Sequence, residues 1–321
     1  ARHIGALPAD EQASTALLHG FLFDECHVRG EWDMENFIES QVQHIRSQVG
    51  GKKVLRDAVL ARFPTYYERY IEVFGGAGWV LFHKPPGGEM EVFNDYNSHL
   101  VNLYRCVRDK PNKLKYKLRY VLNSREDFDR IALLHKRGIF SKLRDVDRAV
   151  KFYQLIRYSY ASGLDSFACQ PHSIWSDFPQ IDMASRRLQK VVIENRDFEK
   201  LIRQYDRPVS FFYCDPPYFA TENYYKDVGF KTADHIRLRD SLLDIKGKFL
   251  VSYNDCPEIR EIWDKPNIHI EEISRLNNLA QRYEGGCMYE ELFISNYDTS
   301  ERRNTVKQFS LFDEENGGLS I

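Results

Sequence analysis

The sequence predicts an α/β fold: a mainly parallel sheet with helices on both faces, and a helical lobe inserted between its second and third strands. Three observations point to it. Short apolar runs of strand length recur along the chain, and helix-period stretches separate several of them, which is the alternation that builds parallel sheets. Two of those runs end in turn-forming residues, Gly75-Gly76-Ala77-Gly78 and Pro216-Pro217. Between the second and third runs the period stays mostly helical from Asn97 to Tyr160, with Tyr153, Ile156, Arg157 and Tyr160 at helix spacing, as core-packing residues would be.

Taken in order, residues 1–45 read as an acidic helical extension with candidate helices near Asp10–Phe23 and Met34–His44, and no function is assigned to it. From Ala1 to Gln43 there are 2 basic and 8 acidic residues, a balance of −6. Lys53–Arg62 is a short amphipathic helix ended by Pro64, which cannot continue it. Strands are expected at Tyr70–Phe74, Met90–Asn94, Val191–Glu194, Ser210–Cys214, Lys248–Ser252, Ile268–Glu272 and Glu291–Ser295. Helices are expected at Ala233–Ile245 and Pro257–Trp263. The sheet domain then comprises 46–104 and 190–298, the inserted lobe 105–189, and a polar, flexible tail 299–321.

Composition is that of a soluble globular protein, with 43% hydrophobic and 29% charged residues in 321. No apolar run approaches the ~20 residues that span a bilayer, so no membrane role is expected. The six cysteines are dispersed without a Cys-x-x-Cys pair, as free thiols in a reducing cytoplasm would be, and no metal site is expected. The net charge of −2 hides an asymmetry. From Arg105 to Arg157 there are 16 Lys or Arg against 6 Asp or Glu, a balance of +10. Lys113, Lys115 and Lys117 are the candidate phosphate contacts. They equally suit the solvated face of a helix, and one surface can be both.

Two motifs carry chemistry. In Phe211-Phe212-Tyr213-Cys214-Asp215-Pro216-Pro217-Tyr218, a strand delivers an acid, two prolines and an aromatic ring at its end. The prolines lack N–H donors and leave carbonyls to face a cavity, Asp215 is an acceptor, and Tyr218 can stack on a flat ligand. Such a site suits a planar molecule with an exocyclic amine, adenine above all. The alternative is a plain strand-to-turn transition with Asp215 in solvent. In Tyr70-Ile71-Glu72-Val73-Phe74-Gly75-Gly76-Ala77-Gly78, a strand enters a glycine turn that permits positive φ and close backbone approach. Asp95, at the end of the next strand, suits a ribose hydroxyl pair or else caps the helix starting near Asn97.

In this order, with a long insert between them, the two motifs resemble the Dam-like adenine-specific DNA methyltransferases, bacteriophage and prophage members most closely. Gly50-Gly51-Lys52, Asn195-Arg196-Asp197-Phe198, Leu250–Asp255 and Glu291–Tyr297 also look like family segments, so the resemblance runs from about Val49 to Tyr297. It implies a Rossmann-like sheet, a recognition lobe in the insert, duplex DNA as partner, and methyl transfer from S-adenosylmethionine to the adenine amine of a base flipped from the helix. The implied catalytic residues are Asp215, Pro216, Pro217 and Tyr218. The implied cofactor-binding residues are Lys52, Glu72, Phe74, Gly76, Gly78, Asp95, Asp197 and Phe198, together with position 48. There the family usually has Trp and this chain has Gln48, which cannot stack in the same way.

Other readings stay open on sequence grounds: methylation of RNA or of a protein glutamine, or an inactive DNA-binding protein that kept the fold. In the tail, Gln308-Phe309-Ser310-Leu311-Phe312 resembles the short peptide by which bacterial proteins dock on the sliding clamp, with Gln308, Leu311 and Phe312 as anchors. Leu311 and Phe312 packing back onto the chain's own core is the alternative.

Overall fold

The computed structural model describes residues 55–160, 163–219, 230–276 and 288–300. Gln48, Lys52, the expected helices of 1–45 and the tail residues Gln308, Leu311 and Phe312 lie outside the described residues. Seven strands form one sheet: β1 (Arg69–Glu72), β2 (Met90–Asn94), β3 (Val191–Glu194), β4 (Ser210–Cys214), β5 (Lys248–Asn254), β6 (His269–Leu276) and β7 (Met288–Ser295). Their order is β3-β2-β1-β4-β5-β7-β6. β1 to β5 run parallel, and β7 lies antiparallel between β5 and β6. This is the Rossmann-like methyltransferase sheet that the sequence predicts.

The central strands show why a continuous apolar run marks a parallel sheet. All residues of β4 are buried, because helices cover both faces. Alternation sends Tyr70, Phe93, Phe211 and Tyr213 into one core and Ile71, Val92, Phe212 and Cys214 into the other. The second core is closed by α7 (Phe198–Tyr205), α8 (Thr232–Leu243) and α9 (Pro257–Trp263), through Leu201, Leu238 and Trp263.

The first core continues without interruption into the helices of the insert: α2 (Ser98–Asp109), α3 (Pro111–Leu118), α4 (Arg125–Lys136), α5 (Asp145–Tyr158) and α6 (Phe178–Leu188). The short α1 (Trp79–His83) packs there too. The boundary expected at 104/105 falls inside α2. The insert therefore packs on the sheet itself, through residues such as Val101, Leu114, Phe128 and Leu155.

A buried ion-pair cluster clamps the end of the insert to the sheet. Arg187 of α6 reaches Glu91 of β2 with two hydrogen bonds of 2.6 and 2.7 Å, and donates to the Leu81 carbonyl of α1 at 3.0 Å. Lys84 pairs with the same Glu91 at 2.9 Å. Burial works against the Glu91 charge, but Arg187 and Lys84 hold its carboxyl below the usual carboxylate range.

The strand order reverses between β1 and β4. The chain steps outward to β2 and β3 on one side and to β5 on the other. Such a reversal opens a crevice outside the carboxyl ends of the two strands. Both turns singled out in the sequence leave the sheet there.

Candidate active site

After β1, the Gly75 N–H donates to the Asn94 carbonyl at 2.7 Å and the Gly78 N–H to the Gly75 carbonyl at 2.8 Å. Gly76 and Gly78 have φ of +50° and +68°, the left-handed region where a side chain is strained. Gly75, which the sequence reading passed over, is the tightest position. A Cβ there would lie 2.2 Å from the Phe93 ring, so the turn can sit on that ring only as glycine.

Asp95 links the turn to the tip of β2. One carboxylate oxygen accepts the Gly76 N–H at 2.9 Å and the other the Asn97 N–H at 2.7 Å. Burial pushes its carboxyl up, against the pull of these two donors. The cap of α2 is Asn97, whose side chain accepts from His99 and Leu100, so capping does not account for Asp95. Asn94 joins three strand tips. Its Nδ2 donates to the Val73 carbonyl at 2.9 Å and the Arg196 carbonyl at 3.1 Å, and its Oδ1 accepts the Arg196 N–H at 2.8 Å.

Asp197 caps α7 by accepting the Glu199 N–H at 3.1 Å, and it pairs with Arg237 of α8 at 3.0 Å. Phe198 is 5% exposed, packed near Phe74 and Phe230, with the Arg237 guanidinium 4.3 Å from its ring centre. Its ring is mostly a packing surface, and the cleft is lined instead by Phe74, with Trp79, Tyr96 and Tyr213.

On the β4 side, Asp215 and Pro217 line the same cleft as Glu72, Phe74, Gly76 and Asp95. The Ser252 hydroxyl of β5 donates to Asp215 Oδ1 at 3.0 Å. Pro216 is buried beside them. Tyr218 packs toward the second core, its ring centre 6.5 Å from that of Tyr253. Gly78 shapes the turn without lining the cleft, and Asp197 and Phe198 stand behind Phe74. Glu72 is 2% exposed and accepts the Tyr70 hydroxyl at 2.7 Å. Burial, with the Asp215 charge adding to it, pushes its carboxyl from 4.5 to about 8, although Tyr70 and the Leu81 N–H pull the other way.

The lysines of α3 stand on the insert. Lys113 is exposed. Lys115 pairs with Asp182 at 2.6 Å, and Lys117 pairs with Asp147.

Sequence reasoning missed Gly75, Asn94, Arg237 and the Ser252 contact. Gly75 was visible within its glycine pair. The other three depend on which strand or helix lies alongside, which no local pattern shows.

The family model of the D12 class N6 adenine-specific DNA methyltransferases matches residues 49–168 and 172–278. The chain belongs to this family. It is 29% identical over 270 residues to the Type II methyltransferase M1.LlaDCHI of Lactococcus lactis subsp. cremoris, which covers 77% of this chain and 93% of that one. Stretches of 39 residues match the glutamine-hydrolysing GMP synthases of Geobacillus kaustophilus, at 64% identity, and Bacillus subtilis, at 56%, over 12% of this chain and 8% of theirs. So small a share of that enzyme brings none of its activity here.

The protein is thus an adenine-specific DNA methyltransferase, and its family implies S-adenosylmethionine as methyl donor and DNA as substrate. Among the described residues, no helix is long and apolar enough to cross a membrane, and no group of His, Cys, Asp or Glu is arranged to hold a metal ion.

Glu72 gives this methyltransferase a pH signature. Its carboxyl binds a proton more tightly folded than unfolded, from 4.5 to about 8. The stability it contributes is therefore full below about 4.5 and is lost as pH rises through about 8. Melting temperatures of wild type and Glu72→Gln, compared from pH 5 to 8.5, should show the wild type losing ground to the variant as pH rises. A gap that stays constant with pH would rule this out.

Proposed function

We propose that this methyltransferase acts on an adenine rotated out of duplex DNA, with Asp215 and the Pro216 carbonyl holding the amine and the glycine turn, Asp95 and Asp197 holding the donor. The observation that carries the reading is the single cleft at the β1/β4 reversal, where Asp215 and Pro217 share walls with Phe74, Gly76 and Asp95.

The cleft suits a cationic donor. Among the described residues its lining contains the acids Glu72, Asp95 and Asp215, against one cation, Arg56, which is engaged with Asp57 at 2.6 Å. The glycine turn offers backbone where a Cβ would fill the space. When bound, S-adenosylmethionine supplies a methyl group on a positively charged sulfur.

Asp215 accepts one N–H of the adenine amine and the Pro216 carbonyl the other. The nitrogen lone pair, otherwise delocalised into the ring, is thereby turned toward the methyl group. Positive charge grows on nitrogen as the N–C bond forms and the S–C bond breaks, and preorganised acceptors stabilise it. The proton that nitrogen loses leaves along its hydrogen bond to Asp215. Tyr218 stacks on the target base. Binding both substrates in one cleft supplies the in-line approach. An adenine inside a duplex cannot enter such a cleft, so the base must leave the stack. By likeness to the Lactococcus Type II methyltransferase, the product is a methylated site that a partner restriction activity would spare.

Tritiated-methyl transfer to duplex DNA, RNA and protein tests the reading against its alternatives. Duplex DNA should be the acceptor, and Asp215→Ala should lose on the order of 10²-fold or more in rate while keeping its fold and DNA affinity. Near-normal turnover of the variant would remove the mechanism.

The segment Arg105–Arg157 is proposed as the main phosphate-contacting surface. Affinity should then fall with salt at a log–log slope of about −0.9 per phosphate neutralised. Glu in place of Lys113, Lys115 and Lys117 should flatten that slope, Lys113 contributing most because the other two share their charge with Asp182 and Asp147. An unchanged slope puts the DNA on another surface. Clamp docking through Gln308, Leu311 and Phe312 is a separate proposal resting on sequence alone. A bacterial sliding clamp should retain the wild type and release Leu311→Ala/Phe312→Ala, and equal retention refutes it.

A further inference from the structure

We infer that Tyr213 and Ser252 form a one-way hydrogen-bond relay that positions Asp215 for the methyl transfer. The inference rests on the reading that Asp215 holds the adenine amine.

Tyr213 and Ser252 lie on the adjacent strands β4 and β5, 3% and 0% exposed. Their hydroxyls are 3.2 Å apart, and Ser252 Oγ is 3.0 Å from Asp215 Oδ1. A buried hydroxyl is costly unless bonded, and this one is bonded on both sides. Nothing in the packing of a strand requires a hydroxyl at position 252, where an apolar side chain would serve.

The direction of the relay follows from counting protons. Ser252 has one to donate and three acceptors in reach, Asp215 Oδ1 at 3.0 Å, the Tyr213 hydroxyl oxygen at 3.2 Å and the Cys214 carbonyl at 3.5 Å. The nearest, charged acceptor makes the strongest bond. With the serine proton on Asp215, the 3.2 Å contact between the two hydroxyls is made by the Tyr213 proton. Its hydroxyl keeps its proton, because burial and the Asp215 charge push its pKa well above the usual value.

The consequence is a fixed carboxylate. The terminal torsion of an aspartate is broad and soft. A buried donor on one oxygen sets its plane, so that the carboxylate meets the amine in one orientation. The same donor favours the charged form, which is the accepting one. Tyr213 and Ser252 are positioning residues: they act on the rate through Asp215 and not on affinity.

Single-turnover methyl transfer, measured beside dissociation constants for DNA and for S-adenosylhomocysteine, tests the relay. Ser252→Ala should slow transfer by about 10- to 100-fold, the range of a hydrogen bond to a charged group, with both dissociation constants within about twofold of wild type. Tyr213→Phe, which removes one oxygen, should slow it less, and should add nothing in the Ser252→Ala background because the two act in series. A wild-type rate in Ser252→Ala, a loss matched by weaker binding, or additive effects would each overturn the relay. Should Ser252→Ala fail to fold, the near-isosteric Tyr213→Phe still decides: a slower rate at unchanged affinity supports the relay, and a wild-type rate refutes it. Asp215→Asn separates the two claims. If it turns over normally, the reading of Asp215 fails; if it is inactive while Ser252→Ala and Tyr213→Phe run at full rate, only the relay fails.

Discussion

The side chain of Asn94 is the joint on which the β1 and β2 side of the cleft depends. Both protons of its amide and its oxygen are spent on backbone, at Val73 of the first strand's exit and Arg196 of the third's. It is 1% exposed, so each of these bonds is sheltered from competing water. The positions of Phe74, Asp95 and Asp197 follow from it, because each is the next residue along from a group that Asn94 holds. Asp would lose the two donated bonds, Leu all three, and either change would leave peptide groups unpaired in a dry site. Asn195 reinforces the joint by donating to the carbonyls of Asp95 and Tyr96 at 2.8 and 3.0 Å.

On the other half of the cleft the same economy appears with side chains in place of backbone. Pro216 and Pro217 give no N–H, so the loop after β4 cannot be held by the ladder that holds its neighbours. Contacts to β5 take over. Ser252 reaches Asp215, and Asn254 donates to the Phe219 carbonyl at 3.4 Å. β5 is in turn fixed by antiparallel pairing with β7 along five residues, from Leu250 to Asn254. The reversed strand, far from Asp215 in sequence, thus braces the strand that braces Asp215.

Much of this was legible in the sequence, and the failures have physical causes. β2, β3 and β4 fall where expected, β4 most plainly because a strand buried on both faces is a bare apolar run with sharp ends. β6 and β7 extend to Leu276 and Met288, beyond the expected Glu272 and Glu291, because their paired ends alternate with polar residues such as Ser274 and Glu290. The reversal of β7 leaves no trace in its composition. Counting lysines between Arg105 and Arg157 gave the charge of the segment. It could not reveal that Asp182, from outside that window, faces Lys115. The motif Asp197-Phe198 announced a site, while the burial of the Phe198 ring under Arg237 depends on where α8 packs.

Two carboxyls, Glu72 and Asp215, face one cleft from adjacent strands, and each charge raises the cost of the other. The surroundings of Glu72 decide its state. Glu72 is nearly inaccessible, and burial outweighs its two donors, pushing it up to about 8. Near neutral pH this favours the protonated form of Glu72. That spares Asp215 a neighbouring negative charge and leaves it to accept hydrogen bonds. Ser252, on the strand beside it, meets that carboxylate with a buried hydrogen bond of 3.0 Å.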